Sequence, residues 1–182
     1  MLASIAQAAL PLLEIPYIKR TRRNHGLEHA TVHVLSKKLK NTPMMGRSSD
    51  GGFVLYTEAE QADVEAAVRE ALRRMKGGEH SLAVHPGCGT SRLTTGMATS
   101  LMGIAALSGV SRRDALSRLP YTMMLMMLTI LFSEPLGLGL QRHFTTEGDP
   151  GDMEILEITS RPARMPLTWQ PVNLYTIRTM SH

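Results

Sequence analysis

Two long stretches with almost no charge constrain this 182-residue chain more than any other feature. Residues 93–110 carry no charged side chain, and residues 119–141 carry one, Glu134. At 18 and 23 residues, each matches the roughly 20 helical residues that cross a hydrocarbon layer of about 30 Å. The first is rich in small and hydroxyl residues (Thr94, Thr95, Gly96, Thr99, Ser100, Gly103). Small side chains let helix backbones approach, so Gly96-xxx-Ser100 and Thr99-xxx-Gly103 suit contact with a neighbouring helix. The expectation is a two-helix transmembrane hairpin in a multi-pass protein of the cell membrane, with the lipid bilayer as partner. A homo-oligomer is compatible with this reading, and no particular protein partner is indicated.

Charge gives two signals about sidedness. The loop between the stretches carries Arg112, Arg113 and Arg118 against Asp114, and taken alone it belongs in the cytoplasm. Lys19, Arg20, Arg22 and Arg23 on the other side make the same claim. Residues 1–17 are apolar but interrupted by Pro11, Glu14 and Pro16. They lack the basic start of a signal peptide and are short for a span. They read as an interfacial segment with the basic run against anionic headgroups. This places the soluble part on the cytoplasmic side. The net charge of +4 is spread without aromatic interleaving, at 4% aromatic residues, so no nucleic-acid partner is expected. A single cysteine, Cys88, excludes an intrachain disulfide framework.

The remaining sequence reads as an α+β fold: a small α/β domain with a short mixed sheet, plus the hairpin. Asn24 is a candidate N-cap for a helix from His25 to about Leu39. Residues 51–56 read as a strand. Thr57-x-x-Glu60 reads as a capping box opening a helix to about Met75, stopped by Gly77-Gly78. Residues 82–84 read as a second short strand. Residues 153–160 and 172–179 have strand character, with Pro162, Pro166 and Pro171 between them. A hairpin returns the chain to one side, so these tail strands can join the middle ones. The organisation expected is an interfacial segment over 1–23, a motif-bearing α/β region over 24–91, the hairpin over 92–141, and C-terminal strands over 142–182.

The chemistry concentrates in His25-Gly26-Leu27-Glu28-His29. Histidines four apart on a helix share a face and can grip one metal ion. The same H-x-x-E-H letters mark an inverted zinc-hydrolase helix, whose glutamate is the general base. A second set, His85-Pro86-Gly87-Cys88, places two further ligand types around a tight turn. A catalytic zinc takes about three protein ligands and leaves one position open. The candidate metal ligands are therefore His25, His29, His85 and Cys88, and the candidate catalytic base is Glu28. The cofactor indicated is a divalent metal, zinc by donor type. His33 extends the row as a polar helix edge. Glu134, beside Pro135, is an acid inside an apolar stretch, and His143 sits near the interface.

The motifs His25-Gly-Leu-Glu-His29 and His85-Pro-Gly-Cys88-Gly-Thr90 resemble the paired HGxEH and HPxCGTS motifs of the YqhQ-like membrane proteins, bacterial proteins described as predicted metal-dependent enzymes. The stretch from Gln141 through Thr145, Thr146 and Glu147 to Pro150 resembles a looser form of that family's third motif. The chain is also similar to an uncharacterised family of cyanobacterial and Chloroflexi-type membrane proteins that share HGLEHA and VHPGCGT strings. It departs from the YqhQ-like pattern at Ala30, where that family favours Lys, and in having fewer apolar stretches. The resemblance implies a metal-dependent membrane protein with His25, Glu28, His29, His85 and Cys88 at its site. The functional expectation is a zinc-dependent hydrolase at the membrane surface. The alternative is a non-enzymatic scaffold or assembly factor holding a structural metal or a polar His/Cys cluster.

Overall fold

The computed structural model describes residues 2–166 and 168–181, with nothing stated for the Arg112 side chain. Among the described residues are six α-helices: α1 (Leu2–Ala8), α2 (Leu10–Leu13), α3 (Pro16–Lys38), α4 (Gln61–Lys76), α5 (Gly89–Leu107) and α6 (Arg112–Leu140). There are four strands: β1 (Met44–Ser49), β2 (Gly52–Thr57), β3 (Glu154–Arg164) and β4 (Pro171–Met180). The fold class is α+β. The chain divides into two compact units, Pro86–Gln141 and the residues on either side of it.

In the flanking unit all neighbouring strands run antiparallel, in the order β1-β2-β4-β3. The sheet is thus antiparallel and not mixed. The tail strands do join the middle one, with β4 paired to β2 from Gly52↔Arg178 to Thr57↔Asn173. The β1 strand has weak strand composition and escapes a hydrophobicity reading. The signal for it lies in Asp50-Gly51, the two residues between the paired Ser49 and Gly52, since Asp-Gly favours the turn that joins two twisted strands. Pro162 lies within β3 and not in a loop; β3 is an edge strand, where a missing N–H is tolerated.

One core joins the helices to this sheet. Leu27, Ala30 and Leu35 of α3 meet Phe53 and Leu55 of β2, the Val64/Val68/Ala71/Met75 face of α4, and Tyr175 and Ile177 of β4. The recurrence of apolar residues at three and four along α4 produces that face. Burying it is worth roughly 1.5–3 kcal/mol for each fully enclosed large side chain. The Tyr175 hydroxyl donates to the Ala59 carbonyl at 2.7 Å.

Several expectations about helix ends and one about a strand are corrected. The helix carrying the histidines begins at Pro16, nine residues before His25, because proline is favoured in a first turn. Asn24 is therefore inside α3 and caps nothing. It is buried, its Nδ2 donates to the Ser49 and Asp50 carbonyls, and its Oδ1 accepts from the Thr179 hydroxyl. Thr57 ends β2, its hydroxyl accepts from the Ala59 N–H, and α4 starts after Glu60 with no side-chain cap bond. Residues 82–84 are not a strand: His80–Ala83 is a 3-10 turn that buries Leu82 and Ala83.

The N-terminal helices expose Ile5, Leu10, Leu12, Ile15 and Tyr17. The basic run behind them is divided. Lys19 pairs with Glu14 and Arg20 with Asp50 at the surface. Arg22 and Arg23 are buried and reach Glu147 and Asp152, so these two are interior bases.

In the other unit, α5 and α6 pack against one another. Among the described residues one helix, Arg113–Thr145, is long and apolar enough to cross a membrane, so the two-span expectation reduces to one. The Thr95 and Ser133 hydroxyls bond at 2.7 Å, and Gln141 Nε2 donates to the Ser91 hydroxyl at 2.6 Å. Gly103 lies against Met126, whereas Gly96 has nothing within 4 Å where a side chain would stand. Gly103 thus serves the helix contact and Gly96 does not.

Asn24 ties the β1–β2 turn and the end of β4 to α3. Asn24→Ala should destabilise the folded protein by about 1–3 kcal/mol through the buried groups it leaves unpaired, read as a lowered urea midpoint.

Candidate metal centre

The α3 helix carries His25, His29 and His33 on successive turns, about 6 Å apart along its axis. Each ring is fixed by a peptide carbonyl. His25 Nδ1 donates to Thr145 O at 2.9 Å, His29 Nδ1 to Ala83 O at 2.7 Å, and His33 Nε2 to Val84 O at 2.9 Å. A carbonyl can only accept, so each of these nitrogens carries the proton. His25 and His29 therefore offer their lone pairs at Nε2, and His33 at Nδ1. Ligating histidines are held in this way, with the remote N–H on a carbonyl fixing tautomer and ring orientation.

The carbonyls come from two segments. The first leaves the His80–Ala83 turn and continues to His85. The second follows α6: Thr145 and Thr146 run beside α3, where the Glu147 N–H donates to the Arg22 carbonyl at 3.0 Å. Arg22 Nη2 donates to the Thr146 carbonyl at 3.2 Å and pairs with Glu147 at 3.3 Å. This close approach requires Gly26, because a Cβ there would stand 2.2 Å from the Glu147 carbonyl oxygen. The backbone that follows Gln141 thus orients His25.

His25, His29 and Cys88 each offer one ligand atom, and these atoms all lie within 4.8 Å of one another. A tetrahedral ion with metal–nitrogen bonds of about 2.0–2.1 Å and a metal–sulfur bond of about 2.3 Å sets such atoms about 3.3–3.8 Å apart. With separations bounded by 4.8 Å, the group could hold a metal ion. His29 and Cys88 are buried and His25 is partly so. Cys88 stands at the N-cap of α5, where Sγ accepts from the Thr90 N–H at 3.3 Å.

The His85 ring centroid lies 6.2 Å from that of His29 and 4.7 Å from that of His33. Burial, together with His33 and His29 nearby, pulls its pKa down to about 4. Glu28 is buried on the side of α3 facing β1. Ser48 Oγ donates to its Oε2 at 2.5 Å, and a side chain at Gly46 would collide with its Oε1. Glu134 and His80 are exposed, and His143 is partly buried.

Nitrogen-15 NMR of histidine side chains should show the Nδ1–H tautomer at His25 and His29 and the Nε2–H tautomer at His33. In Gly26→Ala the His25 signature should be lost and that of His29 kept. In chelator-treated protein the His85 ring should titrate near pH 4. The folded state then binds fewer protons than the unfolded chain between about pH 6.5 and 4, so its stability should fall as pH drops through that window. His85→Gln should remove this part of the pH dependence in thermal melts.

The family model described as Domain of unknown function (DUF6391) matches residues 20–158, a range that includes all three motif segments. An uncharacterised protein of Picosynechococcus sp. is 35% identical over 139 residues, covering 69% of this chain and 65% of that protein. The chain thus spans just under two thirds of its relative's length. No solved structure matches it. With the family model covering well over half of its residues, the chain belongs to the DUF6391 family.

Proposed function

We propose that this protein is a membrane-anchored metalloprotein in which His25, His29 and Cys88 hold a divalent metal, zinc by donor type, and that it acts as a metal-dependent hydrolase at the membrane surface. The observation that carries the metal is the shared orientation of His25 and His29. Both rings spend the Nδ1 proton on a carbonyl and keep the Nε2 lone pair, with the Cys88 donor within 4.8 Å. Two nitrogens and one sulfur suit zinc, and three protein donors leave the fourth position that hydrolytic centres keep open. A bound zinc would supply a Lewis acid. Thr145 and Ala83 hold the two rings, and burial of His29 and Cys88 excludes bulk water from the inner side. The H-x-x-E-H motif and the YqhQ-like resemblance suggest Glu28 as the general base in this reading, a role that requires its carboxylate to leave Ser48 and turn from β1.

Membrane attachment is supported by Arg113–Thr145 and by the exposed Met123, Met127, Leu131 and Phe132 along it. Exposed side chains of α1 and α2 add a second apolar surface. Lys19 and Arg20, beside the apolar N-terminal helices, support a cytoplasmic α/β unit; the arginines at the start of α6, at the other end of that helix, favour the reverse orientation.

One observation favours a second reading. The Glu28 carboxylate is engaged by Ser48 and closely covered by Gly46, the setting of a residue that joins α3 to β1. The metal would then be structural and the protein a scaffold or assembly factor.

Metal content by mass spectrometry tests the shared part. His25→Ala, His29→Ala and Cys88→Ala should each lose stoichiometric metal, and full retention in all three would contradict it. Azide added to the cobalt-substituted protein separates the readings. A shifted visible spectrum shows an exchangeable position and favours the hydrolase; an unchanged one favours a closed structural site.

A further inference from the structure

We infer that His33 and His85 form a second, outer position for a divalent cation, next to the inner group of His25, His29 and Cys88. The inference rests on the proposed metal reading and extends it to residues that the inner group leaves out. Two imidazoles on one metal, each with a metal–nitrogen bond of about 2.0–2.1 Å, place their ring centroids about 4.5–5.5 Å apart. The His33 and His85 centroids are 4.7 Å apart, with planes inclined at 70°. The His29 and His85 centroids, at 6.2 Å, lie well above that span, whereas those of His25 and His29, at 4.3 Å, lie just below it. His85 is therefore placed to share a metal with His33 more readily than with His29.

His33 is held for the same task as its neighbours on α3. Its Nε2–H is committed to the Val84 carbonyl, so the lone pair is at Nδ1, the reverse of His25 and His29. The reversal follows from the consecutive acceptors. The two rings meet the Ala83 and Val84 carbonyls with different nitrogens. The next residue along that same backbone is His85. Three consecutive residues thus supply an acceptor for His29, an acceptor for His33, and a third imidazole beside His33.

Accessibility separates the two positions. His29 and Cys88 are buried, whereas His33 and His85 are partly exposed. Two neutral imidazoles with water completing the shell make a weaker and more labile site than one that includes a thiolate. The outer pair is suited to taking an ion from solvent beside the inner group.

Cobalt(II) chloride titrated into the full-length protein in detergent tests this. The wild type should bind two equivalents. The first should raise thiolate-to-cobalt charge-transfer absorption from Cys88, and the second should add ligand-field absorption without it. His33→Ala and His85→Gln should each lose the second equivalent and keep the charge-transfer band. His33→Gln repeats the measurement with a bulkier side chain, and circular dichroism establishes that each variant is folded. One equivalent in the wild type, or two in folded His33 and His85 variants, overturns the outer position. Loss of the charge-transfer band in His85→Gln also overturns it, by assigning His85 to the inner centre. Absence of that band in a wild type that still binds a cobalt lost in His33→Ala would instead sink the inner site and leave the outer pair standing.

Discussion

Consecutive peptide carbonyls, those of Ala83 and Val84, hold the histidine row of α3 in place. Their bonds to His29 and His33 account for several features at once. They give residues 82–84 polar partners outside any sheet, so an apolar trio that resembles a strand ends as a 3-10 turn and an extended link. They fix the tautomers of two rings. They also bring His85 beside His33. The Thr145 carbonyl does the same for His25 from the other segment, and it can do so only because Gly26 leaves room for the Glu147 backbone. The site is thus built from one rigid helix and two backbone edges laid against it. Side-chain bonds from Arg22 to Thr146 and Glu147 keep the second edge in position.

This dependence on backbone explains what the sequence could and could not reveal. The spacing of His25 and His29 is legible because helical periodicity translates four residues into one face. Cys88 is legible because Pro86-Gly87 announces a turn. The strands around Phe53 and Ile177 show themselves by composition. A carbonyl, however, is the same at every position, so nothing in the letters marks Ala83, Val84 or Thr145 as ring acceptors. Asn24 misleads for a related reason. Its side chain is a good helix cap in isolation, but here it serves the β1–β2 turn and Thr179, partners brought near only by the complete fold. Glu28 shares the motif with the histidines, yet a one-residue step from His29 is about 100° around the helix, enough to turn its carboxylate toward β1.

Charge placement shows a similar division between local pattern and tertiary partner. A run of four bases before a histidine helix suggests a surface for headgroups. In the folded unit Arg22 and Arg23 instead face Glu147 and Asp152 from the C-terminal part of the chain. Each contact joins a buried arginine to a more exposed carboxylate and ties the later segment to α3. The apolar character of the Pro86–Gln141 unit is more directly readable. Its helices contact each other through Thr95, Ser133 and Gly103, while large apolar side chains remain exposed on α6. Among the described residues Arg113–Thr145 is the helix long and apolar enough to cross a membrane.

The account depends on a metal held jointly by the α3 histidines and Cys88. Crystals of the zinc-loaded protein, measured on both sides of the zinc absorption edge, would locate the ion without reference to any activity. The account predicts an anomalous difference peak within bonding distance of His25 Nε2, His29 Nε2 and Cys88 Sγ, with the Nδ1 atoms of both rings still on the Thr145 and Ala83 carbonyls. Crystals grown with zinc that show no peak there, or a peak reached by neither His25 nor His29, would contradict it.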